Sequence, residues 1–244
     1  MRIVHIHLPK TAGTALRTAF QNLASPKIRV CPATYEAQFK DLNFADYDFF
    51  SGHISFALAQ KIGGDYITVM RNPIDRFLSV YYFWRELYDK GVEKSRNTFL
   101  ARHFDLSEFA KFFDEPTLTE EFFNRITWQL AFSSATQQRT VWRQQNKLGD
   151  SGLLDLAKEN LAKFKIIGFQ ERYDSVVDKI NSAYGLNIKN NRVNVTGERE
   201  DVSSLSPEVA AQISRWVYLD NELYNYALEQ YGQNSGEPKV RVRA

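Results

Sequence analysis

Cysteine, excess charge of one sign and long apolar runs are all scarce in this chain of 244 residues. Cys31 is the only cysteine, so no intramolecular disulfide can form. Lysine and arginine (31) almost balance aspartate and glutamate (29), and a net charge of +2 gives no support to nucleic acid as a partner. No segment approaches the roughly 20 apolar residues of a membrane span, and no leader-like segment precedes the first predicted strand at about Arg2. Taken from Met1, these absences predict a cytoplasmic protein without a membrane span.

Short apolar segments alternate with amphipathic ones along the chain, which favours an α/β fold with a parallel sheet. The predicted strands are Ile3 to Leu8, Ile28 to Cys31, Asp48 to Gly52, Tyr66 to Met70 and Lys165 to Gly168. The predicted helices are Thr14 to Leu23, Phe56 to Ile62, Pro73 to Tyr88, Glu171 to Tyr184 and Pro207 to Tyr231. A helical insertion is expected at about 107–163. We expect a single domain over 1–231 and a loosely attached tail over 232–244.

The opening strand leads directly into Pro9-Lys10-Thr11-Ala12-Gly13-Thr14 and then into a helix. A loop of small and hydroxyl residues at a helix start places backbone amides around an anion, and Lys10 adds a point charge. The loop is not a Walker A motif, because its lysine precedes the only glycine. It predicts a phosphate site of another kind. A strand-to-helix turn with a solvated lysine is the structural alternative.

A second polar constellation follows the strand that ends at Met70. Arg71 lies where open α/β sheets bind ligands, and Ser79 is placed to face the same crevice from the next helix. Asn72 is a good N-cap for that helix, which begins at Pro73. The sequence thus predicts a second anion site, although Arg71 can instead pair with Asp75 or Asp65.

These two motifs in this order resemble the sulfotransferases that use 3′-phosphoadenosine-5′-phosphosulfate (PAPS). Residues 7–14 look like the family's 5′-phosphosulfate loop, and Arg71 with Ser79 looks like its 3′-phosphate site. Residues 50–53, Phe-Ser-Gly-His, resemble a segment of the carbohydrate 2-O-sulfotransferases, whose histidine is the base. Residues 166–171 and 220–226 resemble the family's late strand and closing helix.

The resemblance implies a P-loop-like fold and transfer of a sulfuryl group from PAPS to a hydroxyl, with 3′,5′-bisphosphoadenosine (PAP) as product and no metal. The expected acceptor is a carbohydrate. Lys10 would neutralise the leaving oxygen and His53 would serve as base, with His7 as the second candidate. Arg192 and Asn194, in a long polar loop, would close over the nucleotide. Oligomeric state and the identity of the acceptor are not encoded in any motif.

Three alternatives remain open at this point. A nucleotide-dependent kinase would show magnesium dependence, and a non-catalytic module would bind PAP without turnover. His5 and His7 share one strand face, which is a conceivable metal pair without an identifiable third ligand. In the insertion, residues 124–130 with Arg139, Trp142, Arg143 and Lys147 are suited either to an acceptor wall or to an ordinary core with a solvated face.

Overall fold

The computed structural model describes residues 1–23, 28–132, 139, 145, 149–190 and 199–232. Within them, four parallel strands form one sheet flanked by helices, so the predicted α/β class is confirmed. The strands are β1 (Ile3–Ile6), β2 (Phe49–Gly52), β3 (Asp65–Met70) and β4 (Phe164–Phe169). The α-helices are α1 (Gly13–Gln21), α2 (Phe56–Ile62), α3 (Pro73–Asp89), α4 (Arg96–His103), α5 (Leu106–Phe109), α6 (Pro116–Phe122), α7 (Arg125–Ala131), α8 (Asp150–Leu161), α9 (Tyr173–Tyr184), α10 (Pro207–Trp216) and α11 (Tyr218–Tyr231). Short 3₁₀ helices lie at Glu36–Phe39, Phe44–Asp46, Gln170–Arg172 and Val202–Ser204.

The strand order β2-β1-β3-β4 creates a switch point between β1 and β3. The chain leaves β1 to form the neighbour on one side and then returns to form the neighbour on the other. In open parallel sheets, ligands bind outside the carboxyl ends of the strands at such a point. The loop after β1 and the residue after β3 therefore meet where a ligand is expected.

Both faces of the sheet are covered. Alternate residues of β1 divide between two cores: Val4 and Ile6 face a cluster with α2, α7, α8 and α11, whereas Ile3 faces one with α1 and α9. A third apolar cluster joins α3 to α4, α5, α6 and α10. The described part of the insertion is helical: α5 and α6 pack against α3 in the third cluster, whereas α7 and α8 pack in the first.

Two predicted elements differ from the structure. The predicted strand over Ile28 to Cys31 is reduced to an isolated bridge between Val30 and Phe49, because the next residue, Pro32, has no amide to continue a ladder. The predicted single helix over Pro207 to Tyr231 breaks at Val217. There Asn124 donates its backbone amide to Trp216 O (2.8 Å) and accepts from Leu219 N (2.9 Å) through its side chain.

Smaller differences concern element ends. The first strand ends at Ile6 instead of Leu8, and the first helix ends at Gln21 instead of Leu23. None of the helices in the described part is long and apolar enough to cross a membrane. The predicted tail lies almost wholly outside the described residues.

Candidate active site

The loop between β1 and α1 has an unusual backbone. Lys10 and Ala12 both adopt left-handed conformations, with φ of 62° and 66°, in a segment where glycine would be the ordinary choice. Thr11 lies between them and is buried, and its Oγ1 donates a hydrogen bond to Leu8 O at 2.8 Å. The Thr11 hydroxyl therefore helps to hold the turn together. Strained turns of this kind occur at ligand sites.

Amides at the start of α1 are available to an anion. The first helical hydrogen bond runs from Leu16 N to Ala12 O at 3.2 Å, so the amides before it have no acceptor in the helix. Together with the helix dipole they favour a negative group at Gly13 and Thr14. Gly13 itself has no room for a side chain, since a Cβ there would lie 1.9 Å from Cδ2 of His7. The glycine is required because the His7 ring packs against the loop.

The Lys10 ammonium lies over an aromatic ring of α3. Its Nζ is 3.8 Å from the centroid of Phe83, a cation–π contact. Burial and the nearby Arg71 guanidinium lower the pKa of Lys10 to about 8, although Glu86 and Glu121 act in the opposite direction. Sequence reasoning missed Phe83, but its position four residues after Ser79 puts both on one face of a helix.

Arg71 connects the two predicted anion sites. Its Nε donates to Asp75 Oδ2 at 2.6 Å, and its Nη1 donates to Lys10 O at 2.8 Å. Arg199 also reaches Asp75, with Nη1 2.6 Å from Oδ1. The pairing of Arg71 with Asp75, the structural alternative, is thus present, but Nη2 of Arg71 has no partner among the described residues. One carboxylate holds two guanidinium groups at the start of α3.

Ser79 presents a buried hydroxyl on the same helix. The residue is 1% exposed, and its Oγ has no hydrogen-bond partner in the described part of the chain. A buried hydroxyl without a partner is costly unless something else satisfies it. Its position is consistent with the predicted anion site. The N-cap of α3 is as predicted, with Asn72 Oδ1 accepting from Ile74 N and Asp75 N.

His53 follows β2 and is oriented by the neighbouring strand. Its Nδ1 lies 3.0 Å from His7 O, and because a carbonyl oxygen only accepts, Nδ1 carries the proton. The neutral ring therefore keeps its lone pair on Nε2. Burial lowers the pKa of His53 and Arg125 lowers it further, whereas Glu121 and the hydrogen bond to His7 O act in the opposite direction. The lowered pKa keeps the ring neutral at neutral pH, so that Nε2 is free to accept a proton.

The His53 ring is the outermost of three stacked imidazoles. Its centroid is 4.2 Å from that of His7, which is 5.5 Å from that of His5. His5 is fully buried, with Nδ1 2.8 Å from Ser51 Oγ, and burial lowers its pKa to about 3. Burial also lowers the pKa of His7 well below its usual value. Within the described residues no group of three or more His, Cys, Asp or Glu side chains is arranged to hold a metal ion.

The insertion supports this corner through Gln129 of α7. Its Nε2 donates to His7 O at 3.1 Å and to Ile54 O at 2.9 Å, so it fixes both carbonyls beside His53. All residues of α7 are buried, which makes this helix a core element and not an acceptor wall. Trp142, Arg143 and Lys147 lie outside the described residues, and Arg139 caps α6 through the carbonyls of Glu120 and Phe123.

The structure brings most of the predicted site residues to the carboxyl edge of the sheet. These follow β1, β2 and β3 and are Pro9, Lys10, Thr11, Ala12, Gly13, Thr14, His53 and Arg71. Ser79 lies within α3, the helix that follows Arg71. Arg192 and Asn194 lie outside the described residues. Gln129 was missed because a lone glutamine on a buried helix carries no recognisable pattern. Tyr35, whose ring centroid lies 5.6 Å from that of His53, was not predicted either, because no motif includes it.

Comparison with known proteins identifies similar sequences and a similar structure. A model of the sulfotransferase family matches residues 1–227. Heparan sulfate 2-O-sulfotransferase 1 of Xenopus laevis is 27% identical over 200 residues, which cover 75% of this chain and 52% of that protein. The chain thus spans about half the length of this curated relative. A crystal structure of a mouse sulfotransferase complexed with PAP aligns over 96% of this chain and 86% of its own, with a TM-score of 0.42 and 11% identity.

The family match extends from the start of β1 into α11. It includes both the loop after β1 and the Arg71 to Ser79 segment, and the loop and Arg71 follow the two strands that flank the switch point. The chain belongs to the sulfotransferase family.

Proposed function

We propose that this protein transfers a sulfuryl group from PAPS to a hydroxyl of a carbohydrate, with His53 as the base. The observation that carries the proposal is the hydrogen bond from His53 Nδ1 to His7 O, which leaves Nε2 as a proton acceptor beside the loop after β1. The similarity to a heparan sulfate 2-O-sulfotransferase supports a carbohydrate acceptor.

The donor would be held at both of its phosphate ends. The amides of Gly13 and Thr14 and the Lys10 ammonium are suited to the 5′-phosphosulfate. The Arg71 guanidinium and the Ser79 hydroxyl, which has no hydrogen-bond partner among the described residues, are suited to the 3′-phosphate, because a phosphate would accept from both. Arg199, already beside Asp75, is a further cation at that end.

Transfer is an in-line displacement at sulfur. The acceptor oxygen forms a bond to sulfur while the bond from sulfur to the 5′-phosphate oxygen breaks, and His53 Nε2 takes the acceptor's proton. Lys10 and the loop amides meet the negative charge that grows on the departing phosphate oxygen. Positioning of both partners supplies much of the remaining rate enhancement.

An acceptor screen with sulfur-35-labelled PAPS, run over desulfated heparan sulfate, phenols and lipid alcohols, tests the proposal. Transfer to the polysaccharide without added magnesium supports it. PAP should raise the melting temperature in the absence of metal. At a hundredfold excess over Kd, its binding should increase the free energy of unfolding by about 2.7 kcal/mol. Adenosine 5′-phosphate should do much less. Equal shifts with both nucleotides, or a strict need for magnesium, would count against the two-site donor pocket.

A further inference from the structure

Tyr35 is an exposed aromatic residue placed beside the proposed base. It is 61% exposed, which is unusual for a large apolar ring, yet its ring centroid lies 5.6 Å from that of His53, at an angle of 39°. A ring in solvent next to a reactive side chain does not contribute to the core. The exposed face of the Tyr35 ring can therefore contact a ligand that reaches His53.

The backbone that carries Tyr35 is firmly fixed. Tyr35 forms a parallel bridge with His53, whose amide donates to Thr34 O at 2.7 Å. Gln38 Oε1 accepts from the amides of Thr34 and Tyr35, at 2.8 and 3.0 Å. Gly52 allows this approach, because a Cβ there would lie 2.6 Å from Thr34 O.

Two further side chains fasten the same segment to the rest of the protein. Glu36 accepts from the amide and hydroxyl of Ser55, both at 2.9 Å, and so joins it to the start of α2. Arg17 of α1 donates to Cys31 O at 2.8 Å and to Ser51 O at 2.9 Å. The exposed ring thus projects from a rigid base, which lowers the entropy cost of binding against it.

We infer that Tyr35 forms an acceptor subsite that stacks against the apolar face of a pyranose ring. This inference rests on the proposed function. A hydroxyl that gives its proton to His53 lies about 3 Å from Nε2, so the sugar bearing it, or the adjoining sugar, reaches a ring whose centroid is 5.6 Å from the imidazole. The C–H bonds of a pyranose face carry partial positive charge, which complements the negative face of an aromatic ring.

The test compares Tyr35→Ala, Tyr35→Phe and Tyr35→Leu. Phe99→Ala is the matched control, because Phe99 is 45% exposed and its centroid lies 4.3 Å from that of His103, at the same 39° angle, on α4. The acceptor probe is desulfated heparan sulfate with labelled PAPS, and PAP binding is measured by calorimetry.

Tyr35→Ala and Tyr35→Leu should raise the acceptor KM by about 2- to 12-fold, the equivalent of one aromatic contact. The kcat and the PAP Kd should stay near those of the wild type, and Tyr35→Phe should behave as the wild type because it keeps the ring. An unchanged KM in Tyr35→Ala, or a similar rise in Phe99→Ala, overturns the subsite alone. A wild-type protein that neither binds PAP nor transfers sulfur overturns the proposed function, and the subsite with it.

Discussion

Replacing His53 with alanine is the sharpest test of the chemistry. The substitution removes the Nε2 lone pair, which the hydrogen bond from Nδ1 to His7 O leaves on the neutral ring. We expect kcat to fall by about 10²- to 10⁴-fold, or about 2.7 to 5.4 kcal/mol of barrier. The Kd for PAP should hardly change, because the imidazole acts on the acceptor proton and not on the nucleotide. Labelled transfer and calorimetry measure the two quantities separately.

The dependence of kcat/KM on pH provides a second test of His53 as the base. A base must be unprotonated, so kcat/KM should rise with pH through the pKa of His53. Burial lowers that pKa below 6.5, so the acid limb should have its midpoint below 6.5. An imidazole of pKa 6.5 is already about three-quarters neutral at pH 7, and a lower pKa increases that fraction. His53→Ala should lose this limb.

Two other histidines serve as controls. His103 is exposed at the end of α4, and His103→Ala should leave both the rate and the acid limb unaltered. His7→Ala removes a ring but keeps the backbone carbonyl that orients His53, so its loss of kcat should be much smaller. If His7→Ala abolished transfer while His53→Ala stayed folded and active, the two roles would have to be exchanged. If neither variant lost activity, histidine would not be the base.

Three further predictions concern the loop and the core. Gly13→Ala should destabilise the fold by about 1 to 3 kcal/mol in urea unfolding, because the added methyl would lie 1.9 Å from an imidazole atom; Gly149→Ala, where a Cβ meets open space, is the control, and equal effects would refute this. Arg71→Ala should weaken PAP binding by about 1.5 to 3 kcal/mol, whereas Lys10→Ala should mainly lower kcat, and an unchanged Kd in Arg71→Ala would contradict the 3′-phosphate assignment. The pKa of His5 is lowered from 6.5 to about 3, so the unfolded chain takes up a proton that the folded chain refuses, and stability should fall as pH drops below about 6.5; His5→Asn should lose less melting temperature between pH 7.5 and 5.5 than the wild type does.

Local chemistry made the loop after β1 and the start of α3 predictable from the sequence. The loop after β1 and the N-cap at Asn72 depend on residues adjacent in the chain, so their types and spacing indicate their structure. Parallel strands then bring the two loops together at one edge, as the alternation of strands and helices predicts. The same rule placed His53 at that edge.

Contacts between distant segments could not be predicted from the sequence. Gln129 lies 122 positions from the His7 carbonyl that it holds, and nothing in α7 announces that partner. The side chain of Asn124 accepts a hydrogen bond from Leu219 N, 95 positions away, in place of a helical acceptor. This tertiary contact interrupts a helix that the sequence pattern predicts to be continuous. Tyr35 acquires its place through a bridge to His53, not through a strand of its own. These positions depend on packing, which outweighs local propensity.

The hydrogen bond from Arg71 to the Lys10 carbonyl helps to fix the distance between the two proposed phosphate sites. On the proposed function, PAPS is a bivalent ligand whose two phosphate groups are joined by one nucleoside, and the second contact forms at a high effective concentration once the first exists. That gain depends on a fixed distance between the two sites, which the 2.8 Å bond from Arg71 Nη1 to the loop backbone helps to maintain. A nucleotide with the same charges but a different distance between its phosphate groups would bind at one site only. The protein would therefore select its donor by that distance as well as by charge.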